Sequence, residues 1–119
     1  MIEYIETHLT HHCNLNCRSC THYAPLAKPW FKDIHEYIKE IARLAELTDN
    51  YIPTIRLLGG EPLLHSMVID FCYITRQAFP NSHIELVTNG ILLPNMDNNF
   101  YNTMNEHNIA IYLSDYNLS

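Results

Sequence analysis

This sequence has few positive charges, no long hydrophobic run and no pattern typical of a leader segment in its first residues. Each of these features argues against a class of protein. Seven Lys and Arg residues stand against thirteen Asp and Glu residues, which gives a formal net charge of −6. Binding of nucleic acid depends on cations that neutralise phosphates, so we expect no nucleic-acid partner. No stretch approaches the about 18 consecutive apolar residues of a membrane-spanning helix, so we expect no membrane contact. The acidic residues 1–6 lack the basic and apolar regions of a secretory signal, which favours a cytoplasmic protein.

No internal repeat, low-complexity tract or linker divides the 119 residues. This length lies within the roughly 100–150 residues that single domains most often have. The apolar fraction of 47% is ordinary for a folded protein. We therefore predict one domain over residues 1–119.

Hydrophobic periodicity predicts alternating strands and helices in the order β-α-β-α-β-α-β. The predicted strands are Tyr4–Leu9, Thr54–Leu58, Ile84–Thr88 and Ile109–Leu113, and the predicted helices are Ile34–Leu47, Met67–Phe79 and Asp97–Glu106. Asp33 and Ser66 are the predicted N-caps of the first two helices. Such alternation implies right-handed crossovers, so the predicted fold class is α/β with a parallel sheet of about four strands.

Unusual residues follow each predicted strand, at the edge where parallel sheets bind ligands. Three cysteines follow the first strand, and the run Gly59-Gly60-Glu61-Pro62 follows the second. Asn89 follows the third strand and Ser114 follows the fourth. Because the carboxyl ends of parallel strands share one edge, the sequence predicts a cofactor site there.

The clustered cysteines, Cys13, Cys17 and Cys20, have the spacing C-x3-C-x2-C, and Cys72 lies far away on a predicted helix. An odd local cluster in a cytoplasmic chain indicates a metal or redox site rather than a disulfide framework. A structural zinc site needs four ligands, and so does a [4Fe–4S] cube unless one iron is left open. Because no fourth cysteine ligand is obvious, the three clustered cysteines favour a [4Fe–4S] cluster with one iron left open. Cys72 is predicted to be a core thiol.

Two other sites remain open at this point. A zinc ion would use the three cysteines and one of the nearby histidines, His11, His12 or His22. A thioredoxin-like site would use Cys17 and Cys20 and would leave Cys13 without a role. Zinc explains the cysteines but not the run Gly59–Pro62. Glu61 is a possible general base, and the sequence shows no partner for it.

The cysteine motif after the first strand, Gly-Gly-Glu-Pro after the second and Thr88-Asn89-Gly90 after the third together resemble the radical S-adenosylmethionine (radical SAM) superfamily. The resemblance covers essentially the whole chain. It implies that Cys13, Cys17 and Cys20 ligate three irons of a [4Fe–4S] cluster and that S-adenosylmethionine chelates the fourth. It also implies that Gly59–Pro62 binds the methionine amino group.

The same resemblance implies a reaction and further partners. An electron from the reduced cluster would cleave S-adenosylmethionine to methionine and a 5′-deoxyadenosyl radical, which abstracts hydrogen from an unknown substrate. Asn89 and Ser114 would contact the ribose or the carboxylate. An external donor such as a flavodoxin or a ferredoxin would supply the electron. The alternative function is a non-catalytic domain, either stabilised by zinc or a degenerate remnant that retains the cysteine motif.

The family's core is a partial TIM-type barrel of about six βα units, and this sequence stops after the fourth predicted strand. The resemblance therefore predicts an incomplete barrel, as in a truncated product or a fragment. The fourth strand, with Ile109, Ile111 and Leu113, would form an unpaired edge, so we expect self-association through it.

Overall fold

The computed structural model describes residues 2–10 and 30–114. The strands are β1 (Tyr4–Thr10), β2 (Thr54–Gly59), β3 (His83–Thr88) and β4 (Ile109–Leu113), and the α-helices are α1 (Ile34–Leu47), α2 (Val68–Ala78) and α3 (Asn98–Glu106). The four strands form one parallel sheet in the order β1-β2-β3-β4. The predicted α/β fold class is therefore confirmed. Two short 3-10 helices, Pro62–Leu64 and Leu93–Asn95, were not predicted.

The helix starts show one correct and one wrong capping prediction. The Asp33 side chain accepts a hydrogen bond of 3.0 Å from the Glu36 amide, as the capping pattern predicted. The predicted cap at Ser66 is wrong. Met67 is the N-cap residue of α2, and no side chain caps the helix. Nδ1 of His65 instead accepts the Met67 amide at 3.0 Å, directly before the first helical residue.

One face of the sheet packs on all three helices and forms the core. Alternate residues of β2 and β3 point to this face, so Ile55, Leu57, Ile84 and Leu86 are fully buried. Phe71 of α2 is buried against them in the same cluster. Position 72 is also fully buried, which agrees with the prediction of a core thiol. This packing fixes the strands, and with them the loops at their carboxyl ends.

The opposite face of the sheet carries a charged row. Glu6, Arg56 and Glu85 share one register across β1, β2 and β3. Arg56 Nε donates to Glu85 Oε1 at 2.6 Å, and its guanidinium lies over the rings of Tyr4 and Tyr112, at 5.7 and 5.0 Å from their centroids. Partial burial raises the pKa of Glu85, but the hydrogen bonds and charges of Arg56 and His83 together outweigh burial and hold that pKa below its usual value.

In the part of the chain that the structure describes, β4 pairs only with β3 and so forms an edge of the sheet. Its sequence, Ile109–Leu113, carries no charge and no proline, the usual protections of an edge strand. Tyr112 and Leu113 are exposed. Among the described helices, none is long and apolar enough to cross a membrane.

Candidate functional site

The turn after β2 begins with a close contact between two strands. Thr10 of β1 pairs with Gly59, after a register shift that follows His8. Gly59 has φ +153°, and a Cβ at this position would lie 2.2 Å from the Thr10 carbonyl oxygen. The Gly60 amide donates to that same oxygen at 2.8 Å. A glycine at 59 is therefore required by the approach of β1, whatever the turn binds.

Glu61 is the most buried charged side chain of the site, with no exposed surface. Its carboxylate accepts three hydrogen bonds: 2.9 Å from the Leu63 amide, 2.7 Å from the Thr88 hydroxyl and 2.8 Å from the Asn89 amide. The sequence showed no partner for Glu61, and the structure gives it these three. The carboxylate is committed to joining the turn after β2 to the end of β3, which leaves it poorly suited to act as a general base.

Sequence reasoning included Thr88 in a motif but missed its role in connecting the strand ends. Its hydroxyl donates to Glu61 and accepts from the Gly90 amide at 3.1 Å. Its carbonyl accepts from the Ser114 amide at 2.8 Å and from the Ser114 hydroxyl at 3.2 Å. The Asn89 side-chain oxygen accepts from the Ile91 amide at 2.9 Å. Hydrogen bonds thus connect the carboxyl ends of all four strands, in the order in which the strands pair.

The segment 11–29 begins and ends at this edge. Thr10 and Phe31 form an antiparallel bridge, and the Lys32 amide donates to the Leu9 carbonyl at 2.8 Å. The metal ligands predicted at Cys13, Cys17 and Cys20, and the alternative ligands His11, His12 and His22, lie outside the described residues. Within residues 2–10 and 30–114, no group of three His, Cys, Asp or Glu side chains is placed to hold a metal ion.

A family model described as the radical SAM superfamily matches residues 7–111. The chain belongs to the radical SAM superfamily. Among its curated relatives, a GTP 3′,8-cyclase of Alkaliphilus oremlandii is 34% identical over 100 residues, which are 78% of this chain and 29% of that protein. A GTP 3′,8-cyclase of Moorella thermoacetica is 38% identical over 96 residues, or 77% of this chain and 28% of that protein. The chain thus spans less than a third of the length of these relatives.

A solved structure of another protein has the same fold. A crystal structure of BtrN in complex with AdoMet and 2-DOIA superposes with a TM-score of 0.79 and 20% identity, covering 100% of this chain and 48% of that one. BtrN in an open conformation gives a TM-score of 0.72 at 18% identity, covering 97% of this chain and 57% of that one. The radical SAM superfamily uses a [4Fe–4S] cluster and S-adenosylmethionine, so the cofactor prediction is confirmed for the family.

The described residues of the turn fit a ligand that binds beside the cysteines, which lie outside the described residues. The residues on either side of the cysteine-bearing segment are held near Gly59–Pro62, because Thr10 accepts the Gly60 amide and bridges to Phe31. Three thiolates are the donors that iron–sulfur clusters take. The glycines let the backbone of the turn approach a ligand closely. Glu61 fixes this turn to Asn89, the next predicted contact residue.

Proposed function

We propose that this chain forms the cofactor-binding part of a radical SAM enzyme. The observation that carries the proposal is the connection of all four strand ends at one edge, from Thr10 through Gly60 and Glu61 to Thr88 and Ser114. Both ends of the cysteine-bearing segment lie at that same edge. Such convergence at the carboxyl ends of parallel strands is typical of a ligand site.

The proposed cluster ligands are Cys13, Cys17 and Cys20. Cys13 is three residues beyond Thr10, so the covalent chain limits its Cα to within about 11 Å of the Thr10 Cα. Three thiolates leave one iron without a protein ligand, where the amino and carboxylate groups of S-adenosylmethionine would bind. When bound, the cluster supplies the electron that cleaves S-adenosylmethionine to methionine and a 5′-deoxyadenosyl radical, which abstracts hydrogen from the substrate.

The chain's own residues hold and orient S-adenosylmethionine. The backbone of Gly59–Pro62 binds the methionine amino group, because the Glu61 carboxylate is already occupied by three donors. Asn89 and Ser114 lie at the ends of β3 and β4 and contact the ribose or the carboxylate. Glu61 acts indirectly, since it fixes the turn and the Asn89 backbone relative to each other.

The region that matches these proteins supports a role in binding the cofactors and does not identify the substrate. Its curated relatives are named for GTP, whereas the solved structure that shares its fold holds 2-DOIA. We therefore propose an unknown substrate and an external electron donor such as a flavodoxin or a ferredoxin. We also propose that residues 1–119 form one domain, placed in the cytoplasm.

Anaerobic reconstitution with iron and sulfide tests this function. We expect about four irons per chain and an electron paramagnetic resonance spectrum of the reduced protein that changes when S-adenosylmethionine is added. Cys13→Ser should lower the iron content, whereas Cys72→Ala, in the buried core, should leave it unchanged. Zinc in place of iron would support the non-catalytic alternative, and iron without a spectral change would contradict binding of S-adenosylmethionine.

Self-association through β4 is the remaining proposed contact. The strand is an uncharged edge, and its partner in the proposal is a second copy of this chain. Ala110→Lys places a charge on β4, and Asn105→Lys adds the same charge at an exposed position of α3. We expect sedimentation to show dimers for the unsubstituted protein and Asn105→Lys, and monomers for Ala110→Lys. Dimers of all three would contradict this contact.

A further inference from the structure

His65 lies where the turn after β2 meets α2, directly after the 3-10 helix Pro62–Leu64. It is 6% exposed, which is unusual for a histidine that ends a loop. Its ring makes edge contacts with Phe31, at 5.7 Å between centroids, and with Phe71, at 4.7 Å. The His65 amide donates to the Pro62 carbonyl at 3.0 Å, so the backbone of His65 belongs to the turn.

Both ring nitrogens of His65 have backbone partners. Nδ1 lies 3.0 Å from the Met67 amide, which can only donate, so Nδ1 is the acceptor. Nε2 lies 2.7 Å from the Lys32 carbonyl oxygen, which can only accept, so Nε2 carries the proton. The two bonds together require the neutral ring in a single tautomer.

Lys32 ends the segment Trp30–Lys32, which we call the stem because the cysteine-bearing residues 11–29 return through it. The Lys32 amide is bound to Leu9 of β1 at 2.8 Å, and its carbonyl is bound to His65. Lys32 is therefore tied through its two backbone groups to β1 and to the turn after β2. The ring of Phe31, also in the stem, packs on the same imidazole.

We infer that His65 is a positioning residue that holds the stem of the cysteine segment against the Gly59–Pro62 turn. The inference rests on the proposed function, in which the cysteines hold the cluster and the turn holds S-adenosylmethionine. One side chain then sets the spacing between the two ligand-holding elements. His65 itself, buried between two aromatic rings, touches neither cofactor group in this role.

Two substitutions separate this role from simple support of α2. In His65→Asn the amide oxygen keeps an acceptor close to the Cβ for the Met67 amide, but the side chain is too short to reach Lys32. In His65→Gln the longer side chain keeps an N–H donor for the Lys32 carbonyl and loses the acceptor for Met67. A structural role in α2 makes Gln the worse variant, whereas positioning of the stem makes Asn the worse variant.

The first readout is hydrogen exchange of the Lys32 amide in the metal-free protein. We expect exchange to rise about tenfold in His65→Asn, the scale of one lost hydrogen bond, and to stay near the wild-type rate in His65→Gln. The second readout is the S-adenosylmethionine concentration that half-saturates the spectral change of the reduced cluster. It should rise about tenfold in the Asn variant and less than twofold in the Gln variant.

Equal effects of the two variants, or a larger effect of His65→Gln on both readouts, would overturn the inference. Failure of the proposed function looks different, because the unsubstituted protein would then bind no cluster or show no spectral change. In that case the Lys32 exchange rates of the two variants still decide whether His65 holds the stem. Thermal unfolding provides the control, since the Met67 amide loses its acceptor in His65→Gln, which should lower the midpoint of that variant more than that of His65→Asn.

Discussion

The Thr88 hydroxyl donates a 2.7 Å hydrogen bond to the Glu61 carboxylate, 27 positions away in the sequence and fully buried. The same carboxylate accepts the amides of Leu63 and Asn89. The Glu61 carboxylate therefore joins the turn after β2 to the turn after β3. Any ligand held by both turns depends on a spacing that Glu61 and Thr88 set together.

Replacing Glu61 with Gln tests that dependence. One oxygen of Glu61 takes the Asn89 amide and the other takes the Leu63 amide, so either orientation of the Gln amide sets an N–H against a backbone N–H. We expect a loss of about 1–3 kcal/mol in the free energy of unfolding, measured in urea. Glu46→Gln on the exposed surface of α1 is the charge-matched control. An equal loss in the control would show that the three hydrogen bonds contribute nothing.

Gly59 and Gly90 allow a matched comparison of close packing. An alanine Cβ at 59 would meet the Thr10 backbone oxygen at 2.2 Å, whereas one at 90 would meet the end of the Leu113 side chain at 3.1 Å. Both residues have positive φ, which strains an alanine at either position, and the contact with the Thr10 backbone adds to that strain at 59. We expect Gly59→Ala to cost at least about 3 kcal/mol and Gly90→Ala to cost less. Similar thermal midpoints of the two variants would contradict this ranking.

Local patterns sufficed for the strands and helices of this chain. Gly59-Gly60 and Asn89-Gly90 interrupt hydrophobic runs, so the ends of β2 and β3 fell within one residue of the prediction. The Asp33 cap was likewise predictable because its partner is three residues away. The acceptor that precedes α2 was not, since a hydroxyl at Ser66 was a better local candidate than a ring that also contacts Lys32.

The site was predictable only as a set of strand ends. The sequence placed Gly59–Pro62, Asn89 and Ser114 at one edge, and the structure brings them together. The sequence did not reveal the hydrogen bonds of Thr88 or the partners of Glu61, because those contacts join residues far apart in the sequence. No local pattern distinguishes a carboxylate that binds its own fold from one that faces a ligand.

The ion pair of Arg56 and Glu85 should make stability depend on pH. The pKa of Glu85 is lowered in the folded protein, so its contribution is present above the unfolded pKa and is lost as pH falls through the folded value. Both side chains are partly exposed, which limits the contribution to about 1 kcal/mol. We expect the difference in free energy of unfolding between the unsubstituted protein and Arg56→Met to become smaller as the pH falls below the normal Glu pKa of about 4.

The measurement is urea unfolding of both proteins between neutral and acidic pH. Arg43→Met on the exposed face of α1 removes the same charge without an ion pair in the described structure. The difference in free energy of unfolding between the unsubstituted protein and Arg43→Met should change little over the same pH range. A gap for Arg56→Met that is independent of pH would show that Arg56 acts through its contacts with Tyr4 and Tyr112 alone.

Cys72 is the one cysteine outside the C-x3-C-x2-C cluster, and its surroundings agree with the prediction of a core thiol. It is fully buried on α2, and burial raises its pKa to about 12. Metal ligation and alkylation both require the thiolate. We expect iodoacetamide at pH 8 to leave Cys72 unmodified in the native metal-free protein and to modify it in denaturant, as measured by mass spectrometry of peptides. Modification at equal rates in both conditions would contradict the assignment of Cys72 as a buried core thiol.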